Sequence, residues 1–100
     1  MAKSRLIGEK VIVRADRAGV LYGTLIERDD DMVYLEDTRK LFYWKGAGAV
    51  EGIAAAGVKS PADCKFTMKV GAQEVFGVIQ VLKANDEAIK IIESVPEWNG

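Results

Sequence analysis

One hundred residues, 49% apolar and 29% charged with a net charge of −1, make a chain that can bury about two thirds of its unfolded surface and fold without disulfides or metals. The near-neutral balance excludes the broad basic field that non-specific DNA or RNA binding needs, and no run nears the roughly 18 apolar residues of a membrane span. The single cysteine, Cys64, has no internal disulfide partner, and the absence of histidine removes the common zinc ligand and the usual general base at neutral pH.

The start, Met1 to Gly8, is basic but holds only two large apolar residues, Leu6 and Ile7, too few for a secretory core, so a cytoplasmic protein is expected. Lys10 to Ala15 is β-branched and apolar, and Asp16-Arg17-Ala18-Gly19 carries turn chemistry ahead of a second extended run, Val20 to Glu27. Together they predict a hairpin. Gly23 inside the second strand points to a bulge or to a close approach of another group. The triplet Asp29-Asp30-Asp31 lacks the spacing of an EF-hand and is expected as a solvated turn before a third strand, Met32 to Asp37. A fourth strand runs from Arg39 to Trp44, completing an antiparallel meander.

After Trp44 the composition turns to glycine and alanine. Apolar positions at 50, 53 and 54 with Gly57 as a stop predict a helix of about two turns, held by packing because its internal glycines weaken it. Val58 to Cys64, with Ser60-Pro61, is a loop. Lys65 to Val70 alternates and predicts a strand burying Phe66, Met68 and Val70. Gly71-Ala72-Gln73 makes a turn, and Glu74 to Leu82, the most apolar strand, should be central. Asn85 can cap a last helix with Asp86 and Glu87 in its first turn, with Ala88, Ile91, Ile92 and Val95 on one face and Ile89 beside it; Pro96 stops it, and Trp98 lies beyond. The expected architecture is α+β: a single domain, residues 1–100, with a mainly antiparallel sheet of about six strands, one short middle helix and one C-terminal helix.

The segment from Thr38 to Ala49 combines two cations, three consecutive aromatics and a small-residue turn. Arg14, Arg17, Arg39 and Lys40 lie at or near strand ends, where convergence on one edge would grip a diphosphate; surface pairing with Asp16, Glu36 and Asp37 is the competing arrangement. Tyr22, Tyr43 and Trp44 offer faces on which a base can stack. Alternation groups Phe42 with Trp44 and Leu41 with Tyr43, so one of these pairs should be core. Gly46-Ala47-Gly48 is no Walker loop and breaks the dinucleotide fingerprint, but Gly46 opens a strand-to-helix turn whose N–H groups can meet an anion. No cofactor or metal is expected, and no Ser or Cys sits in a nucleophile motif, so the chain is expected not to be an enzyme. A chain this short has little room for a deep pocket, which favours a homo-oligomer sharing the site.

Val-Arg-Ala-Asp-Arg-Ala-Gly-Val-Leu-Tyr-Gly-Thr-Leu, Arg-Lys-Leu-Phe-Tyr-Trp-x-Gly-Ala, Gly-Val-Lys-Ser-Pro-x-x-Cys-Lys-Phe-Thr and Val95-Pro96-Glu97-Trp98 resemble a family of small phage and prophage proteins of unknown function, over nearly the whole chain. In size and style the chain is similar to phage anti-defence sponges of the Thoeris inhibitor type. That resemblance implies stoichiometric capture, without cleavage, of a cyclic nucleotide or ADP-ribose-derived immune signal in the host cytoplasm. The ligand residues expected on chemical grounds are Arg14, Arg17, Tyr22, Arg39, Lys40, Tyr43, Trp44 and Gly46. The alternative is a phage accessory protein that binds a host or viral protein through a sheet edge or an aromatic patch.

Overall fold

The computed structural model describes residues 4–99; Met1 to Lys3 of the basic start, and Gly100, lie outside them. Six antiparallel strands form one sheet with two helices, an α+β fold: β1 (Lys10–Ala15), β2 (Gly19–Asp29), β3 (Met32–Tyr43), α1 (Val50–Ala56), a 3-10 turn (Pro61–Asp63), β4 (Lys65–Phe66), β5 (Val70–Val75), β6 (Val78–Lys83) and α2 (Asp86–Ser94). The spatial order is β4-β3-β2-β1-β6, and β5 pairs with the first half of β3 while β4 pairs with its end. Among the described residues no helix is long and apolar enough to cross a membrane.

Chain connectivity forces this sheet to curl. β5 and β6 lie at opposite ends of the path β5-β3-β2-β1-β6, which places them about 19 Å apart in a flat sheet, yet only Phe76 and Gly77 join them, and three Cα steps span at most about 11 Å. The ends are drawn together by the Val78 N–H donating to the Asp31 carbonyl (2.9 Å) and the Asp16 N–H donating to the Gly77 carbonyl (2.9 Å). Two apolar layers result. Val11, Val13, Ala15, Leu21, Leu25, Val33, Leu35, Val75 and Val78 fill the concave side. Ile12, Tyr22, Leu41 and Phe66 on the convex side meet Val50, Ile53 and Ala54 of α1 and Ala88 and Ile92 of α2. The β-branched run of β1 is therefore buried on both faces, where each fully covered Val or Ile contributes about 1.5–3 kcal/mol.

Four elements differ from the sequence-based expectation. The third and fourth strands are one, β3, because Asp37 takes a left-handed conformation (φ 52°) as an extra residue opposite Gly23, so pairing with β2 continues through it. The strand expected over 74–82 is broken by Gly77 (φ 73°), and its second half, β6, sits at the sheet edge rather than the centre. Strand order decided this, not hydrophobicity. The strand expected over 65–70 shrinks to Lys65–Phe66, leaving Met68 and Val70 exposed. Asn85 occupies the N-cap position of α2 without a side-chain capping bond; its Nδ2 donates instead to the Ala55 carbonyl at the end of α1 (3.1 Å). Gly57, expected as a helix stop, ends α1 with φ 78°, and any Cβ there would lie 2.8 Å from Ile91 Cβ of α2.

Gly23 meets both of its expected roles. It lies at a register shift, and a Cβ would sit 2.8 Å from the Thr38 methyl and 3.0 Å from the Glu36 carbonyl. Thr38 cannot retreat freely, since its Oγ1 donates to the Val70 carbonyl (3.1 Å) and accepts from Gln73 Nε2 (2.7 Å). Gly23→Ala is expected to destabilise the fold by about 1–3 kcal/mol through overpacking, measured by urea denaturation; an unchanged midpoint would show that β3 yields at Thr38.

Candidate functional site

The structure divides the eight expected ligand residues among the interior and several separate surfaces. Tyr22 and Arg39 face each other across β2 and β3 on the convex side and are interior groups, corrected here from ligand contacts to structural ones. Arg39 is 3% exposed. Its Nε donates to the Thr67 carbonyl (2.9 Å), Nη1 to the Ile92 carbonyl (2.9 Å) and Nη2 to the Phe66 carbonyl (3.2 Å), with the guanidinium 5.5 Å from the Phe66 ring. Ile92 lies in the last turn of α2, where carbonyls lack helical partners and the dipole favours a cation. Burial draws the Arg39 pKa down, opposed by the charges of Glu93 and Glu97, and the group stays protonated.

The Tyr22 hydroxyl donates to Glu93 Oε2 (2.8 Å), and Glu93 also pairs with Lys69 (2.6 Å). Burial first, then the Glu93 carboxylate, push the phenol well above its ordinary range. For Glu93, partial burial pulls its pKa up, but the hydrogen bonds from Lys69 and Tyr22 and the nearby lysine charges together hold it below the usual carboxylate value. Among the described residues no buried side-chain polar atom lacks a partner, so this network offers a ligand no vacant donor.

Three other expected residues line three different recesses, each open to solvent. Arg14 and Trp44 share a recess of about 290 Å³ with Val20, Ala49, Val50 and Glu51. There the Glu51 carboxylate accepts from Gln80 Nε2 (3.1 Å), the chief reason its pKa is lowered, with Arg14 adding a smaller pull. Arg17 lines a second recess of about 450 Å³ with Asp16, Ala18, Phe76 and Gly77. Gly46 lines a third, of about 470 Å³, beside Lys59, whose backbone nitrogen would lie 2.7 Å from a Cβ at position 46; close packing with Lys59 accounts for this glycine. The expected convergence on one edge is thus replaced by dispersal. The described residues hold no cluster of three or more metal-ligating groups.

The remaining two, Lys40 and Tyr43, belong to the end of β3, where the aromatics depart from simple alternation. Leu41 is core, Tyr43 is 48% exposed, Phe42 is 55% exposed, and Trp44 packs partly against the helix-side layer, so neither expected pair is wholly buried. The cause is a bulge. Leu41 pairs with Phe66 and Tyr43 with Lys65, which leaves Phe42 as the extra residue of β3 and turns both rings outward. Phe42 stacks on Trp98 with ring centroids 4.7 Å apart and planes at 15°. Lys65 Nζ lies 5.5 Å from the Trp98 ring and 6.0 Å from that of Tyr43, within cation–π range of both. Trp98 is placed by its N–H donating to the Phe66 carbonyl (2.9 Å), beside a parallel bridge between Phe66 and Glu97. Sequence reasoning named Tyr43 and Lys40 but missed Phe42, Lys65 and Trp98 as one surface. The alternation of Lys65-Phe66 with Phe66 inward was the available signal.

Arg39→Met is expected to destabilise the protein by about 3–5 kcal/mol, because three enclosed carbonyls lose their donor, and Arg39→Lys to recover only part of it, as one ammonium cannot span them. Urea melts measure both; a near-neutral Arg39→Met would sink the structural assignment. Tyr22→Phe is expected to cost about 1–2 kcal/mol at neutral pH. It should also remove an alkaline loss of stability. The fold holds Tyr22 protonated while the unfolded phenol ionises near its ordinary value of 10.0, so wild-type stability is fully present below that value and declines as pH rises past it. Melts from about pH 9 to 11 should slope down for the wild type and less for the variant.

A search of curated proteins finds no match to the chain. The family described as a domain of unknown function (DUF6948) matches residues 8–92, from the glycine ahead of β1 to the buried isoleucine whose carbonyl Arg39 holds, and the chain belongs to that family.

Proposed function

We propose that this protein is a non-enzymatic binding module that recognises a partner protein through the aromatic face of Phe42, Tyr43, Lys65 and Trp98. One observation carries the reading: two large rings are held stacked, with Phe42 more than half exposed, by a bulge and a backbone hydrogen bond rather than by burial in the core. Tyr, Trp and Phe are enriched in interface cores because a rigid ring offers a large contact area at low entropy cost. With the rings already oriented, less ordering is needed on association. Following the phage resemblance of the sequence, the partner is a host or viral protein met in the host cytoplasm.

A second reading is stoichiometric capture of a cyclic nucleotide or ADP-ribose-derived signal, favoured by the guanidinium of Arg14 sharing a recess with the indole of Trp44. Its support is weaker. Glu51 in the same recess opposes a phosphate, and Arg39 and Tyr22 are committed elsewhere.

Affinity capture with a photocrosslinker at Tyr43 is expected to trap a protein partner that Phe42→Ala loses by about tenfold or more, while the urea midpoint of that variant stays within about 1 kcal/mol of wild type, as suits an exposed side chain. A partner retained in full by Phe42→Ala would refute the assignment of the face. Thermal-shift measurements with cyclic dinucleotides, cyclic trinucleotides and ADP-ribose derivatives should show no change; a shift abolished by Arg14→Ala would transfer the function to the second reading.

A further inference from the structure

We infer that the aromatic face is built for an acidic segment of the partner, one that sets an aromatic or aliphatic side chain against the Phe42–Trp98 stack while its carboxylates meet the surrounding lysines. This rests on the protein-docking reading above and names the chemistry of the partner. Lys65 lies over both Trp98 and Tyr43. Lys40 shares its face of β3 with Phe42 two residues on, and Lys45 follows the aromatic run. All three lysines are exposed, and none forms an ion pair within the described residues, where the pairs are Lys69–Glu93 and Lys83–Glu9. The carboxylates nearest in the chain are Asp63 and Glu97, and Glu97 acts on the buried charge of Arg39.

The opposite end of β3 has the reverse character. Asp29, Asp30 and Asp31 are all exposed there, and a twelve-residue strand at about 3.4 Å per residue separates the two ends by about 40 Å, the full long axis of the molecule (40 Å). A molecule of net charge −1 has thus separated its signs, with uncompensated cations around its exposed rings. Such an arrangement draws in an acidic segment and repels a basic one, and the attraction weakens as salt screens it. The rings supply contact area and the lysines supply the choice of partner.

Selection of yeast-displayed random peptides of about twelve residues on the folded full chain tests this directly, a length suited to an extended or helical recognition segment. The expected winners place Asp or Glu on both sides of a Trp, Phe or Leu, bind less tightly as salt rises, and lose about tenfold in affinity for the doubly substituted Lys40→Glu, Lys65→Glu chain, whose urea midpoint confirms that it is folded. Neutral or basic winners that bind this double variant undiminished but fail on Phe42→Ala would overturn the acidic partner and leave the docking reading standing. No winners, or winners indifferent to Phe42→Ala, would overturn both. Phosphatidylserine vesicles that bind the wild type more tightly than any selected peptide would assign the face to a membrane surface and also overturn the proposal.

Discussion

A guanidinium enclosed by protein needs several acceptors at once, and meeting that demand organises the convex half of this molecule. Arg39 reaches the carbonyls of Phe66 and Thr67, which fixes β4 and the chain after it, and the carbonyl of Ile92, which fixes the end of α2 against the sheet. Withdrawing a cation from water is costly, and the balance is met here by three directed bonds, the negative end of a helix and the face of Phe66. Tyr22, opposite it on β2, repeats the logic with a single hydroxyl on Glu93. α2 is therefore held by polar contacts at its C-terminal turn as well as by Ala88 and Ile92 packing on the sheet.

This constraint explains why the most conspicuous segment of the sequence, Thr38 to Ala49, serves more than one purpose. Arg39 and Leu41 point into the molecule, Lys40 and Phe42 point out, Tyr43 follows Phe42 outward because of the bulge, and Trp44 lies half covered beside α1. A nucleotide pocket would need the cations and rings on one side. Alternation in a strand buried on one face divides them.

Much of the architecture was legible in the chain. The first hairpin, both helices and the irregularity at Gly23 follow from β-branched runs, Gly57, Pro96 and a glycine placed where a strand should have a side chain. What was not legible depended on residues meeting from afar. Nothing near Asp37 reveals that β5 will pair across the bulge and keep β3 continuous, and nothing in Glu74 to Leu82 reveals that β1 will take only one side of its second half. Arg39 looked like a phosphate ligand because its three acceptors are backbone carbonyls, which any sequence supplies. Phe42 looked equal to its aromatic neighbours until β4, a strand of two residues, set the register that ejects it.

The two-residue link between β5 and β6 has a bearing on biosynthesis. The concave layer closes only once Val78 has met Asp31, and the convex layer only once the carbonyl of Ile92 has reached Arg39, so a chain emerging N-terminus first holds Tyr22, Leu41 and Phe66 uncovered until its final helix leaves the ribosome. Truncation in the last tenth of the reading frame therefore yields not a shortened protein but an open one, with a sticky flank on view to chaperones and proteases.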